Sequence, residues 1–206
     1  MRRRRFLPTV LAAGLVIASS PASAREIPEA ATAPVRALVD ALRSVTRADA
    51  DLDFAARRER LAPVIRESFD LRFMARLAVG RHWRELSPDQ RDRLADTFAR
   101  LSVTTFAGRF DGGGELTFSL TDPRPGPRES VFVPTRIVRP NAEDVEIAYL
   151  VRNEDGGWRA VDIYLDGTYS ELASRRSEFS SILSNEGFDA LIARIETRIQ
   201  EARNGG

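Results

Sequence analysis

The chain has 206 residues, 43% hydrophobic and 30% charged, with 31 basic residues against 30 acidic ones, a composition typical of one globular domain rather than a disordered chain. It contains no Cys and a single His, which excludes a disulfide scaffold, a thiolate metal site, a thiol nucleophile and a metal site built on two histidines. Every basic residue is Arg, which excludes Schiff-base and P-loop lysine chemistry.

The first 24 residues have the pattern of a secretory signal peptide. Four arginines at residues 2–5 precede an apolar stretch at residues 6–18, and Ala-Ser-Ala at residues 22–24 is a cleavage motif. The same arginines fit both the general secretory route and the twin-arginine route. We therefore expect residues 25–206 to form the mature protein, one exported domain. Its net charge would be −3, which gives it no electrostatic signature for nucleic acid.

Apolar residues at helical spacing predict helices in the first half of the chain and at its end. The first covers residues 35–45, the second covers residues 52–65 with an interruption at Pro63, and a short third helix begins at Ser68 and stops at Gly80. Ser87, Pro88 and Gln90 form a capping box that begins a long helix ending near residue 110. A last amphipathic helix covers residues 188–199.

Between residues 115 and 165 the apolar period changes from 3.6 to 2, which predicts strands. Four of them follow in series at residues 116–120, 131–137, 145–151 and 158–165, as in an antiparallel meander. Pro134 predicts an edge position or a bulge in the second strand. The expected fold class is α+β, a single domain in which helices wrap the sheet.

Catalytic signals are weak. His82 has no neighbouring triad element in the sequence. Asp162 and Asp166 would lie about 13 Å apart on one face of a strand, too far for most paired carboxylates. The three glycines at residues 112–114 lack a phosphate-loop pattern. We predict no catalytic residues, no metal and no cofactor.

Several segments, in order along most of the mature chain, carry a family resemblance. Residues 69–83, with Phe69-Asp70 and the run through His82-Trp83, are followed by Ser87-Pro88-Asp89-Gln90-Arg91 and then by matching segments at residues 104–107, 158–167 and 176–191. Together they resemble the MlaC-type toluene-tolerance family, periplasmic phospholipid-binding components of ABC-type lipid transport systems. Pro134-Thr135 departs from the usual Arg-Thr pair, and residues 167–179 are similar to a branch associated with hopanoid biosynthesis clusters.

This resemblance implies a curved NTF2-like antiparallel sheet wrapped by helices and enclosing an apolar lipid pocket. It implies a carrier, with acyl chains inside and the head group in water at the mouth, where it meets little specific recognition. The candidate lipid-binding residues are apolar side chains on the predicted inner faces. They are Phe73, Leu77, Phe98, Leu101 and Phe106 on helices, and Val131, Val133, Ile137, Val145, Ile147, Tyr149, Ile163 and Leu165 on strands.

The corresponding function is a monomeric periplasmic shuttle that carries phospholipid or a hopanoid. It would move lipid between an inner-membrane Mla-type ABC transporter and an outer-membrane lipoprotein and porin complex, touching them transiently. The candidate docking residues are Arg81, Arg84, Arg175 and Arg176. Two alternatives stay open: an NTF2-like enzyme for small molecules that uses Asp162 and His82, and a docking module with a fully packed core.

Overall fold

The computed structural model describes most of the predicted mature domain. The described residues are 27–47, 49, 52–110, 116–140, 142–154 and 157–204. The predicted signal peptide at residues 1–24 and the glycines at residues 112–114 lie outside them. None of the helices in these ranges is both long and apolar enough to cross a membrane.

Six α-helices and two short 3₁₀ helices form the helical part of the described chain. Their bounds are α1 Ala33–Thr46, α2 Phe54–Ser68, α3 Leu71–Val79, α4 Pro88–Arg109, α5 Glu171–Asn185 and α6 Phe188–Asn204, with 3₁₀ helices at Glu29–Thr32 and Gly80–Arg84. The predicted capping box of α4 is confirmed. Ser87 Oγ accepts from the Gln90 amide at 3.2 Å, and the Ser87 amide donates to Gln90 Oε1 at 2.9 Å, so two amides without helical partners are satisfied.

The predicted interruption at Pro63 is wrong, because α2 continues through it to Ser68. Pro63 removes one hydrogen bond, the one that the Glu59 carbonyl would accept. Both residues are exposed on the solvent side of the helix, where water can satisfy that carbonyl. The third helix also begins later than predicted, at Leu71, where the Asp70 carboxylate accepts from the Phe73 amide at 2.9 Å.

The strands form one antiparallel sheet, which confirms the predicted meander and the α+β class. Its strands are β1 Thr117–Leu120, β2 Arg124–Pro125, β3 Val131–Val138, β4 Val145–Glu154, β5 Gly157–Leu165 and β6 Tyr169–Ser170. The order is β1-β3-β4-β5-β6, and β2 pairs with β3 beyond the end of β1. The two-residue strands β2 and β6 are too short to show a period, so the sequence did not predict them.

Pro134 lies in β3, an interior strand rather than an edge. The neighbouring strand is interrupted there, because β1 ends opposite Thr135 and β2 begins opposite Phe132. The Pro134 carbonyl faces this gap and accepts from the Thr121 amide at 3.0 Å. The nitrogen and carbonyl of a strand residue point to the same side, so the Pro134 nitrogen also faces the gap. Because no strand pairs with it there, the absence of an N–H at this position costs no hydrogen bond of the sheet.

The core lies between the sheet and the helices. Side chains of β3 alternate, with Val131, Val133 and Ile137 buried and Arg136 and Val138 exposed. The helix α1 and the 3₁₀ helix before it pack on the sheet, and α4 packs against α2, α3 and α6.

Candidate functional site

A cavity opens between α4, α5 and the ends of β4 and β5. Its free volume is about 70 Å³, well below the roughly 300–1,000 Å³ usual for small-molecule sites, so a lipid chain can enter only if the side chains that line the cavity move apart. Its floor is β4 and β5, its sides are α4 and α5, and Met74 of α3 completes its wall.

The cavity exists because α4 and α5 stand apart. Both helices pack against α3 and against α6, but they make little backbone contact with each other. The inner stripe of α4 lines one side of the gap with Phe98, Ser102, Thr105 and Arg109, residues spaced by three or four as one helix face requires. Along this stripe the apolar Phe98 is followed by polar side chains toward the C-terminal end of α4, where Phe106 and Phe110 also line the cavity.

The floor consists of two pairs of side chains that face each other across β4 and β5. Tyr149 lies opposite Ile163, and Ile147 lies opposite Leu165. Ile147, Ile163 and Leu165 are only half-buried, because no side chain of the helical layer covers them completely. They present branched aliphatic surface to the cavity.

A chain of five aromatic rings separates the cavity from the closed core. Tyr149, Phe69, Phe106, Phe110 and Phe118 follow one another with centroid distances of 6.1, 5.7, 6.1 and 5.8 Å, within the range of favourable ring contacts. Tyr149, Phe106 and Phe110 line the cavity, whereas Phe69 and Phe118 are buried in the core. The rings that line the cavity are therefore packed against rings of the core.

Tyr149 is the most buried polar side chain of the cavity, at 2% exposure. Its hydroxyl has no hydrogen bond to another described residue, and burial raises the pKa of the phenol well above its ordinary value. The group is thus a protonated donor in an apolar wall, and buried phenols normally have a partner.

Three charged residues stand at the mouth. Arg109 NH2 lies 3.2 Å from Glu171 Oε1, and Arg175 Nε lies 3.9 Å from Glu171 Oε2. The Arg175 side chain, 19% exposed, crosses from α5 toward α4 and lies 5.8 Å from the centroid of the Phe98 ring. Burial lowers the pKa of the Arg175 guanidinium, which means that its charge is poorly hydrated. One carboxylate thus serves two guanidinium groups.

Asp162 fixes the beginning of α5, the helix that carries Glu171 and Arg175. Its carboxylate accepts from Ser170 Oγ at 2.6 Å, the Ile163 amide at 2.7 Å and the Leu172 amide at 3.1 Å. Burial raises the pKa of this carboxyl in spite of these three donors. Asp162 is therefore a positioning residue outside the cavity lining.

The structure does not bring Asp162 and His82 together. His82 Nε2 contacts Ser184 Oγ at 3.1 Å, near the end of α5, and its Nδ1 contacts Glu85 at 2.9 Å. Because Asp162 caps the start of the same helix, about 20 Å of helix separates the two residues. Neither of them lines the cavity.

The cavity brings together six of the thirteen candidate lipid-binding residues. These are Phe98, Phe106, Ile147, Tyr149, Ile163 and Leu165. Leu101, Val131, Val133 and Ile137 are buried in the closed core. Phe73, Leu77 and Val145 are half-buried outside the lining.

The candidate docking residues separate into two groups. Arg81, Arg84 and Arg176 are exposed, and the Arg176 guanidinium lies close to Gly80, whose missing Cβ leaves room for it. Arg175 instead points into the cavity. Sequence reasoning did not propose Arg109, Glu171 or the polar α4 residues Ser102 and Thr105 as site residues. For the three residues of α4, their spacing with Phe98 on one helix face was the available signal.

An α+β domain with an apolar cavity behind a few convergent polar groups has the general geometry of a small-molecule site. The sequence then identifies the family. The profile of the MlaC protein family matches residues 36–197, and the chain belongs to this family, as the resemblance predicted.

The solved structures that share the fold include a phospholipid-binding protein from Ralstonia solanacearum in complex with a phospholipid. It superposes with a TM-score of 0.69 at 22% sequence identity, covering 84% of this chain and 98% of that one. No curated protein sequence matches this chain.

Proposed function

We propose that this protein is a non-catalytic periplasmic lipid carrier that holds the acyl chains of a phospholipid in the cavity between α4, α5 and the sheet. The observation that carries the proposal is the apolar lining beside a polar mouth, the arrangement that an amphipathic ligand requires. Membership of the MlaC family and the phospholipid bound to the similar Ralstonia protein support it.

A carrier has to offset a large free energy of transfer of the acyl chains into water. Each methylene moved from hydrocarbon to water costs about 0.8 kcal/mol, so two chains of about 15 methylenes represent roughly 24 kcal/mol. A carrier must replace most of this with its own dry surface. The half-buried Ile147, Ile163 and Leu165 and the rings of Phe98 and Phe106 offer such surface.

The first test is native mass spectrometry of the mature protein, purified without detergent and followed by lipid extraction. We expect a bound phospholipid; a hopanoid in its place would keep the carrier function and change the cargo. A protein that carries no lipid and takes up none from phospholipid vesicles would contradict the proposal.

A cavity-filling variant locates the site. Ile163→Trp should fill the free volume of about 70 Å³ and reduce lipid uptake at least about tenfold, at a cost of about 1–3 kcal/mol in the free energy of unfolding. The matched control is Val138→Trp, since Val138 is apolar, 38% exposed and outside the cavity. Equal lipid uptake by the two variants would place the lipid elsewhere.

The proposed shuttle works between an inner-membrane ABC transporter and an outer-membrane complex, and it acts as a monomer. Export by the signal peptide at residues 1–24 gives it access to that compartment, and a mature protein that begins at Arg25 in the periplasmic fraction would support this. Transfer of labelled phospholipid between donor and acceptor vesicles by the purified protein tests the carrier step itself.

The exposed arginines Arg81, Arg84 and Arg176 are the proposed docking residues for the membrane complexes. Replacing all three by Gln should weaken binding to the transporter and leave lipid binding unchanged, because none of them lines the cavity. Pull-down with the transporter's periplasmic portion and native mass spectrometry measure the two effects. An unchanged pull-down would remove this face from the proposal.

A further inference from the structure

The charged mouth of the cavity suggests how the carrier distinguishes its ligand. We propose that Arg109 and Arg175 bind the phosphate group of the lipid, so that the cavity selects phosphate-bearing lipids over neutral ones with the same chains. This inference rests on the proposed lipid-binding function and adds a polar specificity site to it. It differs from the expectation that the head group meets little specific recognition.

The position of Glu171 shows that both guanidinium groups reach one anion. Its Oε1 faces Arg109 and its Oε2 faces Arg175, so the space between the two arginines already fits an oxyanion. A phosphate diester, like a carboxylate, presents two oxygens that share one negative charge, and it can take this place. Arg is well suited to phosphate, because its planar donors match the phosphate oxygens.

The charge balance at the mouth favours replacement of the Glu171 carboxylate by a phosphate. Two guanidinium groups share one carboxylate, and the neighbouring Glu178 is already paired with Arg198. An incoming phosphate would therefore meet a net positive charge. Glu171 is the first residue of α5, where its side chain can turn toward solvent and still be stabilised by the positive end of the helix.

Arg175 is the more important of the two arginines. It is largely buried, its carboxylate contact is long at 3.9 Å, and the other contact of its guanidinium is the Phe98 ring. A buried charge with such incomplete pairing is costly. A phosphate at the mouth would supply the charge-assisted hydrogen bonds that Arg175 does not find among the described residues. The backbone amides of Leu172 and Ala173 at the start of α5 are not available to the phosphate, since they already donate to Asp162 and Ser170.

The depth of the site agrees with this assignment. Arg175 and Phe98 are in contact at the boundary between the polar mouth and the apolar interior. A phosphate held there leaves the attached acyl chains pointing toward Phe106 and Ile163. The Tyr149 hydroxyl, which has no partner among the described residues, is then available to the ester region of the same lipid.

The test is a competition in one solution. Lipid-free mature protein is mixed with equal amounts of dioleoylphosphatidylglycerol and dioleoylglycerol, which share both chains and differ in the phosphate, and native mass spectrometry gives the ratio of the two complexes. We expect the wild-type ratio to favour the phospholipid at least about tenfold. Arg175→Gln should bring the ratio close to one, Arg109→Gln should lower it less, and Glu171→Gln should raise it.

The neighbouring residue provides the matched control. Arg176→Gln removes the same charge from the next position of α5, which is exposed and outside the cavity, and it should leave the ratio unchanged. Arg175→Lys keeps the charge without the planar donors, so it should retain part of the preference. Retained dioleoylglycerol binding shows that a variant is folded.

Three results would overturn the inference. The first is a wild-type ratio near one, and the second is an unchanged ratio in the Arg109→Gln, Arg175→Gln double variant. The third is an affinity for inorganic phosphate, measured without lipid, that equals the affinity for the phospholipid and is lost in Arg175→Gln. The site would then bind free phosphate. A wild-type protein that binds neither lipid contradicts the carrier function itself, which is a different outcome from the first two.

Discussion

The two ends of β4 differ in how completely they are covered. At one end, Val151 is fully buried beside Val131 and Ala160, its partners in β3 and β5. Toward the other end, Ile147 is half-buried and faces the cavity with Leu165. Both ends belong to one inner face and to one alternating sequence pattern.

The difference comes from the helices and not from the strands. In the described chain, α1 and α2 line no part of the cavity, and their apolar side chains fill the closed end. The open end is bordered by α4 and α5, which are held apart by their separate contacts with α3 and α6. Alternation in a strand therefore determines which face is apolar, whereas helix spacing determines whether that face becomes closed core or the wall of a cavity.

The largest expected effect compares one substitution in the two regions. Leu38→Ala, in the closed core at 1% exposure, should lower the free energy of unfolding by about 3 kcal/mol, since it leaves an unfilled void. Leu165→Ala, in the cavity lining, should cost about 1 kcal/mol, because its side chain already borders empty space. Urea denaturation measures both, and equal losses would mean that the cavity is as tightly packed as the core.

The next effect concerns α4, the helix that packs in the closed core and also lines the cavity. Ser87→Ala removes the cap at its N-terminus and should cost about 1 kcal/mol. Because the cavity is bordered by the C-terminal half of α4, lipid affinity should stay within about twofold of wild type. A large loss of lipid binding at unchanged stability would show that the two halves of the helix are coupled.

A smaller effect should appear in the pH dependence of stability through Asp162. Its pKa is raised in the folded protein, mainly by burial and in part by Glu171, so the folded state holds this proton more tightly than the unfolded chain. The stabilisation is present below the ordinary pKa of 3.8 and is lost as the pH rises through the folded-state pKa.

The matched variant for this effect is Asp162→Asn, which removes the titration. The free energy of unfolding of wild type minus that of the variant should decrease between about pH 4 and pH 7. Urea denaturation at several pH values gives this difference. If this difference in the free energy of unfolding did not change with pH, Asp162 would have the same pKa in the folded and unfolded states.

The smallest effect on stability is expected at Tyr149, where the two regions meet. Tyr149→Phe removes a hydroxyl that lines the cavity and has no partner among the described residues, so the stability of the lipid-free protein should change by less than about 1 kcal/mol. Phospholipid affinity should fall severalfold if the hydroxyl donates to the ligand. Thermal unfolding without lipid measures the effect on stability, and thermal unfolding with lipid measures the effect on phospholipid affinity. A destabilised lipid-free variant would point to a structural role of the hydroxyl.

The sequence predicted the features that depend on local chemistry. The cap at Ser87, the order of the strands and the inner face that carries Ile147, Tyr149 and Ile163 all follow from residue types and spacing. The error at Pro63 has a local cause as well, since a proline on the exposed side of a helix loses a bond that water replaces.

The features that depend on tertiary spacing could not be predicted. Val133 and Ile163 have the same sequence signature, yet one is closed core and the other borders the cavity. Arg175 belongs to a helix whose other arginine, Arg176, is exposed, and nothing local shows that one of the two points inward. Arg109 is recognisable only when α4 and α5 are placed side by side.

The gap beside Pro134 has a consequence for solubility. A strand with unpaired backbone groups attracts strands of other molecules, which is a common beginning of aggregation. In the gap between β1 and β2, Pro134 offers no N–H, and its carbonyl is already bonded to Thr121. A foreign strand finds neither a donor nor a vacant acceptor at this residue, so the break in the neighbouring strand does not become a site of self-association.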